Sequence, residues 1–142
     1  MAQHLDMGEA LDWIFAEPRT AKVGTVTADG FPHVAPVWVG RDGDRVIFNT
    51  GATTAKGRAL ERDARVSLCF DDETPPFGFV TIQGQVELSE EPGPLLRWAT
   101  LIAGRYMGEH LAEKYGRRNA VPGELLVTVT PLRVIGQLRV SD

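Results

Sequence analysis

The sequence predicts a mostly β fold with peripheral helices, an α+β chain organised as an antiparallel barrel. Its elements follow the order helix, three strands, helix, two strands, helix, two strands, and hairpin-type turns separate most consecutive strands. A doubly wound parallel sheet would need a crossover helix after nearly every strand, whereas this pattern has only two internal helices. The 142 residues, 43% of them hydrophobic, suffice for one domain with a core. We therefore expect a single domain over residues 1–142.

The first third of the chain predicts one helix and three strands. Apolar residues at helical spacing indicate an amphipathic helix over residues 8–16 that ends before Pro18. The three strands are expected over residues 22–28, 31–39 and 45–49, with turns at Asp29-Gly30 and at residues 40–44. Asp-Gly is a strong short-range hairpin signal. We expect these three strands to pair consecutively as a meander.

The remainder predicts two further helices and four further strands. The helices are expected over residues 54–62 and 92–115, and the strands over residues 65–71, 78–88, 124–131 and 132–140. Gly84 indicates a bulge or bend within its strand. Gly104 and Gly108 interrupt the long helix, which is expected to be kinked or split there. Pro131 is expected at a corner between the last two strands.

Composition argues against several classes of protein. The formal net charge of −4, from 15 Lys+Arg against 19 Asp+Glu, provides no general attraction to nucleic acid or to an anionic membrane. The polar N-terminus and the short apolar runs indicate neither a signal peptide nor a membrane span, so we expect a cytoplasmic protein. Cys69 is the only cysteine, which excludes an intramolecular disulfide. With three histidines beside it, no metal-ligand spacing is present, and we expect no metal.

Residues 46–65 carry the strongest functional signal in the chain. A strand there runs into a Gly/Thr turn that opens a helix with two cations in its first turn. Main-chain N–H groups and the positive end of the helix dipole attract an anion, and hydroxyl and cationic side chains add to this attraction. The candidate ligands of a phosphate are Thr53, Thr54, Lys56 and Arg58. The alternative is that one threonine is simply an N-cap and that the cations form a solvated helix face.

Two segments resemble a known superfamily. Residues 24–39 read Gly-Thr-Val-Thr-Ala-Asp-Gly-Phe-Pro-His-Val-Ala-Pro-Val-Trp-Val, and residues 54–65 read Thr-Ala-Lys-Gly-Arg-Ala-Leu-Glu-Arg-Asp-Ala-Arg. They resemble the split β-barrel flavin and deazaflavin oxidoreductases, the pyridoxamine 5′-phosphate oxidase-like superfamily. The Lys-x-Arg-x-Leu-x-Arg-Asp-x-Arg pattern, Gly84-x-Val86 and Arg105-Tyr-Met-Gly108 are most similar to the actinobacterial branch that uses coenzyme F420. Ala64 stands where that pattern commonly has proline.

The resemblance implies a split β-barrel of the FMN-binding-protein type that forms a homodimer with a cofactor at the subunit interface. In that frame the phosphate is held by Thr53, Thr54, Lys56 and Arg58, and Asn49 joins the cofactor-binding candidates. The ring lies beside the irregular segment that contains Pro36, Val37 and Trp38, because proline cannot donate to a ladder and nearby N–H groups can turn toward the ring. The partner chain contributes the loop around Phe77.

The implied activity is hydride transfer from reduced coenzyme F420 to an unsaturated or conjugated small molecule. The alternatives are an FMN-dependent oxidase or flavin reductase, and a non-catalytic flavin- or tetrapyrrole-binding dimer. No Ser/His/Asp, paired-carboxylate or Cys/His arrangement is evident, and none is required when a cofactor carries the reactive atom. We therefore expect no catalytic side chain. His33 is expected to make a local hydrogen bond. Residues 65–71 alternate, so Cys69 and Ser67 are expected on the strand face opposite Val66, Leu68 and Phe70, where Cys69 serves packing.

Overall fold

The computed structural model describes residues 3–142, whose strands form one antiparallel sheet. The strands are β1 (Gln3–His4), β2 (Ala21–Val26), β3 (Pro32–Val37), β4 (Gly40–Asp42), β5 (Arg45–Gly51), β6 (Arg65–Asp72), β7 (Gly78–Ser89) and β8 (Glu124–Leu138). The hydrogen-bonded order is β3-β2-β6-β7-β8-β5-β4, and β1 pairs with β8. The two ends of this path, β3 and β4, are consecutive in the chain. The prediction of a mostly antiparallel β fold with surrounding helices is confirmed.

Four helices lie around this sheet in the described part of the chain. They are α1 (Met7–Ala16), α2 (Ala55–Arg62), α3 (Pro92–Met107) and α4 (Ala112–Asn119), with a 3-10 turn at Glu109–Leu111 between the last two. Helix α1 begins in a capping box in which the Asp6 side chain accepts from the Glu9 amide and the Glu9 side chain accepts from the Asp6 amide. The long helix is split at Gly108, as predicted, because Gly108 takes a φ of +98° that residues with side chains rarely adopt.

The core follows from the alternation of strand residues. On β6, Val66, Leu68 and Phe70 are buried, whereas Ser67 and Cys69 lie on the opposite, partly exposed face, as the sequence predicts. The main core also takes one face of β2, β5, β7 and β8, and helix α1 closes it with Leu11. A second, smaller cluster lies between α3 and the outer side of β5, built on Ile47, Leu95, Ile102 and Leu126.

The expected three-strand meander is wrong. The β2–β3 hairpin forms, with Gly30 at φ +86° in its turn. However, β5 does not pair with β3; it pairs with β8 over six positions and forms a hairpin with the short strand β4. The predicted turn at residues 40–44 therefore contains a strand. Burial of Val46 and Phe48 in the core beside β8 selects this long-range pairing, which local turn chemistry does not encode.

The last two predicted strands are one continuous strand. Strand β8 passes through Pro131, which pairs opposite Gly84, and the register shifts between Gln83 and Gly84. The bulge that Gly84 predicts is thus confirmed, and the corner at Pro131 is wrong. Proline is tolerated there because the ladder between β8 and β5 ends at Val129, so no neighbour on that side needs its missing N–H. None of the helices in residues 3–142 is long and apolar enough to cross a membrane.

Candidate anion-binding site

The turn between β5 and α2 is fixed by Thr54. Its hydroxyl oxygen accepts from the Gly57 amide at 3.1 Å and lies 2.7 Å from the Gly51 carbonyl oxygen, to which it donates. Thr54 is therefore the N-cap of α2, which is the alternative that the sequence left open for it. A side chain at Gly57 would overlap the Gly51 carbonyl oxygen, so the helix backbone lies directly against the turn. This turn and the first residues of the helix, residues 51–57, form a platform at the helix N-terminus.

Several hydrogen-bond donors at this platform have no partner within residues 3–142. The amides of Thr53, Ala55 and Lys56 donate no hydrogen bond, as is usual for the first turn of a helix. Thr53 is exposed, and its hydroxyl also has no partner in the described residues. By contrast, the Ala52 amide donates to the Gly123 carbonyl, which ties the turn to the start of β8. Unpartnered N–H groups at a helix N-terminus fit an anion.

The cations of this region divide into two pairs. Arg65 is paired with Asp63 at 2.7 Å, and its guanidinium holds the pKa of Asp63 at about 2. Arg62 donates to the Val26 carbonyl oxygen at 3.3 Å. Within the described part of the chain, neither Lys56 nor Arg58 has a carboxylate within 4.0 Å. Two cations that oppose the helix dipole without an ion pair favour a bound anion.

The surroundings of Lys56 differ from those of Arg58. Arg58 is exposed, whereas Lys56 is partly buried, and this burial lowers the pKa of its ammonium against the opposing effect of Glu124. Glu124 in turn accepts from the Asn49 amide at 2.8 Å, and the same Asn49 nitrogen lies 3.2 Å from the Asn119 carbonyl oxygen. Both amide hydrogens of Asn49 are therefore used within the chain. Its side-chain carbonyl oxygen accepts no hydrogen bond within the described residues.

The segment after β3 joins the two ends of the sheet. Pro36 is exposed and pairs opposite Lys22 in a ladder with β2 that shows no register shift, so the irregular pairing expected at this proline is wrong. Because β3 is an edge strand, the missing N–H of Pro36 costs nothing there. Val37 ends the strand, and the Trp38 amide donates no hydrogen bond within residues 3–142. The Trp38 indole stacks on the ring of Tyr106 from α3, with centroids 5.2 Å apart and planes within 4°. Helix α2 packs against β2, β3 and β5.

Arg105 has a role that the sequence did not reveal. Its guanidinium donates to the main-chain carbonyls of Ile14, Phe15 and Glu17 at the end of α1. It thereby supplies the partners that the last turn of α1 lacks. Because these donors are used within the fold, Arg105 is not a cation available to a ligand. Lys114, Arg117 and Arg118 on α4 remain exposed.

A groove of about 610 Å³ opens beside the C-terminal part of α2. The ladder between β2 and β6 ends at Gly24 and Ser67, and the two strands diverge beyond it. The groove occupies this divergence and continues across β7 to β8, where Arg133 lines it. The groove has no signal in the local sequence, because it depends on where a ladder between distant strands ends.

Phe77 lies away from the platform within its own chain. It is exposed, with a left-handed φ of 58°, in the loop that joins β6 to β7. Phe77 precedes Gly78, which pairs with Leu138 at the end of β8, whereas the platform is tied through Ala52 to Gly123, just before the start of β8. Phe77 and the platform are therefore not brought together within one chain.

The other residues that the sequence singled out carry no site by themselves. The His33 Nδ1 atom is buried and has no hydrogen-bond partner in the described residues, so the local bond expected for it is not formed. Cys69 is a free thiol on the outer face of β6. Residues 3–142 contain no group of three or more His, Cys, Asp or Glu side chains that could hold a metal ion.

The chain is similar to known proteins in sequence and in fold. The model of the pyridoxamine 5′-phosphate oxidase family matches residues 7–137. A conserved hypothetical protein of Mycobacterium tuberculosis is 25% identical with a TM-score of 0.78, over 93% of this chain and 84% of that chain. A structure described as an F420 reductase is 22% identical with a TM-score of 0.68, over 87% and 94% of the two chains. The heme storage protein HutZ of Vibrio cholerae is 14% identical with a TM-score of 0.72, over 94% and 96%. No curated protein matches the chain.

Proposed function

The chain belongs to the pyridoxamine 5′-phosphate oxidase family, and we propose that it is an oxidoreductase that transfers hydride from reduced coenzyme F420 to an unsaturated or conjugated small molecule. The observation that carries the proposal is the platform at the start of α2. Within residues 53–58 lie three amides without a hydrogen-bond partner and two cations without an ion pair in the described part of the chain. This donor set suits the phosphate of a ribityl cofactor, because each contact is a charge-assisted hydrogen bond or an oriented N–H.

Each residue of the platform has a distinct role in this proposal. Lys56 and Arg58 provide positive charge, and Thr53 provides a hydroxyl donor beside the free amides of Ala55 and Lys56. Thr54 acts indirectly, since its hydroxyl holds the turn through Gly51 and Gly57. Asn49 retains its side-chain oxygen as an acceptor for a hydroxyl of the ribityl chain.

The ring is proposed to lie beside Pro36, Val37 and Trp38. The free Trp38 amide is the donor that supports this placement, because a ring with nitrogen and carbonyl acceptors can satisfy it. Bound reduced coenzyme F420 would supply the hydride. The chain would orient the ring through this segment, exclude water from one side of it, and hold the phosphate at a fixed distance. No side chain is assigned as an acid or base.

The site is proposed to be completed in a homodimer. Val26, Val34 and Ile135 are 53%, 66% and 55% exposed on the outer side of the sheet, the side onto which the groove opens. A second copy on this face would cover these apolar side chains and could bring its Phe77 to the site that Phe77 does not reach in its own chain. Light scattering should report a dimer near micromolar concentration. A monomer that binds one cofactor per chain would contradict the shared site.

FMN is the second candidate cofactor. A platform for phosphate serves either cofactor, and the use of Arg105 within the fold removes one cation that would favour the long acidic tail of coenzyme F420. The corresponding function is an FMN-dependent oxidase or flavin reductase. The non-catalytic alternative, a flavin- or tetrapyrrole-binding dimer, shares its fold with a described heme storage protein.

The activity is tested by stopped-flow spectroscopy. Wild-type protein is mixed with reduced coenzyme F420 and a panel of quinones, enones and imines, and oxidation of the coenzyme is followed by its absorbance. We expect at least one acceptor to be reduced in a protein-dependent reaction that Lys56→Ala slows. Tight binding of reduced coenzyme without turnover of any acceptor would instead support the non-catalytic alternative.

A further inference from the structure

Tyr106 holds the segment between β3 and β4 from the side of α3. Its hydroxyl accepts from the Val39 amide at 3.1 Å and donates to the Arg19 carbonyl oxygen at 2.5 Å. Its ring stacks on the Trp38 indole with planes within 4°. One side chain thus contacts two consecutive residues of the segment by two different interactions.

These contacts matter because residues 38–39, between β3 and β4, belong to neither strand ladder. The pairing of β3 with β2 ends at Val37, and the pairing of β4 with β5 begins at Gly40. Val39 is fully buried, so its N–H must be satisfied within the protein, and the Tyr106 hydroxyl satisfies it. The main chain at residues 38–39 is therefore oriented by a side chain of a distant helix, 67 residues away in sequence.

The Trp38 amide is the group whose direction this arrangement sets. It lies between the ladder end at Val37 and the fixed amide of Val39, and it donates no hydrogen bond within the described residues. Stacking on Tyr106 restrains the Trp38 side chain, and the bond at Val39 restrains the next peptide. The free N–H is consequently held in one orientation before any ligand binds, which lowers the ordering cost of a hydrogen bond to that ligand.

We infer that Tyr106 is a positioning residue that aims the Trp38 amide at an acceptor atom of the cofactor ring. The inference rests on the proposed function, since it assumes a ring at this segment. It assigns different parts of the ligand to different helices. Helix α2 holds the phosphate, and α3, through Tyr106, orients the Trp38 amide that donates to the ring. The two contributions are separable, because they act on different parts of the ligand.

The test compares ligands with and without phosphate. Dissociation constants are measured for FMN and riboflavin, and for coenzyme F420 and its phosphate-free ribityl deazaflavin, with wild type, Tyr106→Phe and Lys56→Ala. Tyr106→Phe keeps the aromatic ring and removes only the hydroxyl. The matched control is Tyr115→Phe, the other of the two tyrosines, whose hydroxyl makes no hydrogen bond within residues 3–142. The Trp38 and Val39 amides are followed by ¹H–¹⁵N spectroscopy.

We expect Tyr106→Phe to weaken the phosphorylated and phosphate-free ligands by the same factor, about fivefold. Lys56→Ala should weaken only the phosphorylated ligands, and Tyr115→Phe should weaken neither. In wild type the Trp38 amide should shift when riboflavin or its deazaflavin counterpart binds. The Val39 amide of Tyr106→Phe should exchange faster with solvent even without ligand.

Two results would overturn the inference while leaving the proposed function standing. One is ligand affinity in Tyr106→Phe equal to that of wild type, even if Val39 exchanges faster, because Tyr106 would then serve stability alone. The other is an unshifted Trp38 amide in wild type on binding of the phosphate-free ligand; this applies even if Tyr106→Phe does not fold. Wild type that binds none of the four ligands would refute the proposed function itself, and the inference with it.

Discussion

Arg105 and Lys56 are both cations near a helix end, and the fold uses them in opposite ways. Arg105 donates to three main-chain carbonyls at the end of α1, and it also lies over the rings of Phe15 and Tyr106. Lys56, at the other end of a helix, has no carboxylate within 4.0 Å in the described part of the chain. The first completes the fold. The second is proposed to bind a ligand.

The difference shows that charge in a motif does not by itself identify a binding residue. The Arg105-Tyr106-x-Gly108 pattern resembles a cofactor-using branch, yet in the structure Arg105 satisfies carbonyls and Gly108 ends a helix. The two regions differ in how many of their hydrogen-bond donors already form bonds within the chain.

Arg105→Met should reduce stability and leave cofactor affinity nearly unchanged. The substitution keeps an unbranched apolar stem but removes every donor to the end of α1. Loss of two to three charge-assisted bonds to partly buried carbonyls should lower the free energy of unfolding by about 2 to 4 kcal/mol. Urea denaturation measures it. Arg97→Met, at an exposed arginine of the same helix, should change stability by only about 0.5 kcal/mol or less. Equal effects of the two substitutions would contradict the structural role of Arg105.

Lys56→Ala and Arg58→Ala should weaken cofactor binding and leave stability nearly unchanged. Each should weaken binding of a phosphorylated cofactor by about 1.5 to 3 kcal/mol, the value of a hydrogen bond to a charged group. Stability should barely change, because neither side chain has an ion-pair partner within residues 3–142 to lose. Calorimetric titration measures the affinity, with Arg45→Ala, at an exposed arginine of β5, as the matched control. If both variants bind as tightly as Arg45→Ala, the platform is not the phosphate site.

The smallest effect expected is a pH dependence at Lys56. Burial lowers the pKa of this ammonium below 10.5, so the folded protein loses the proton at a lower pH than the unfolded chain. The stability of the free protein should therefore rise as pH increases from the lowered pKa toward 10.5. Phosphate affinity should fall over the same range, because the charge is lost. In Lys56→Arg the phosphate affinity should stay constant over this pH range, because the guanidinium keeps its charge. An identical fall in both proteins would show that another group causes the loss of affinity.

The sequence predicted those features that depend on local chemistry. Gly84 indicated the bulge and Gly108 the break in the long helix, because each position requires the absence of a side chain. Alternation in β6 separated Leu68 from Cys69 correctly. The platform itself was visible because its residues are consecutive, from the end of β5 into α2. Even the N-cap alternative for Thr54 was evident from its residue type and place.

What the sequence did not predict depends on contacts between distant segments. The pairing of β5 with β8 and the hydrogen bond from Val39 to Tyr106 each join residues more than 60 positions apart. Asn49 shows the same limit, since its amide is used by Glu124, 75 residues away, and by Asn119. No local period or motif encodes which distant group will satisfy a given donor. A residue whose donors already form hydrogen bonds within the fold is therefore assigned a structural role, and a residue whose donors do not is a candidate for binding.

The central claim, that the platform binds a phosphorylated deazaflavin, is tested most directly by parallel titrations of wild type and Lys56→Ala with coenzyme F420 and FMN at physiological salt. We predict the lower dissociation constant for coenzyme F420 and weaker binding of both cofactors to Lys56→Ala. Affinity for coenzyme F420 should also fall more steeply with salt, because the exposed cations of α4 would meet its acidic tail and such pairs are screened over about 8 to 10 Å. FMN that co-purifies stoichiometrically, or that binds tenfold more tightly than coenzyme F420, would contradict the claim.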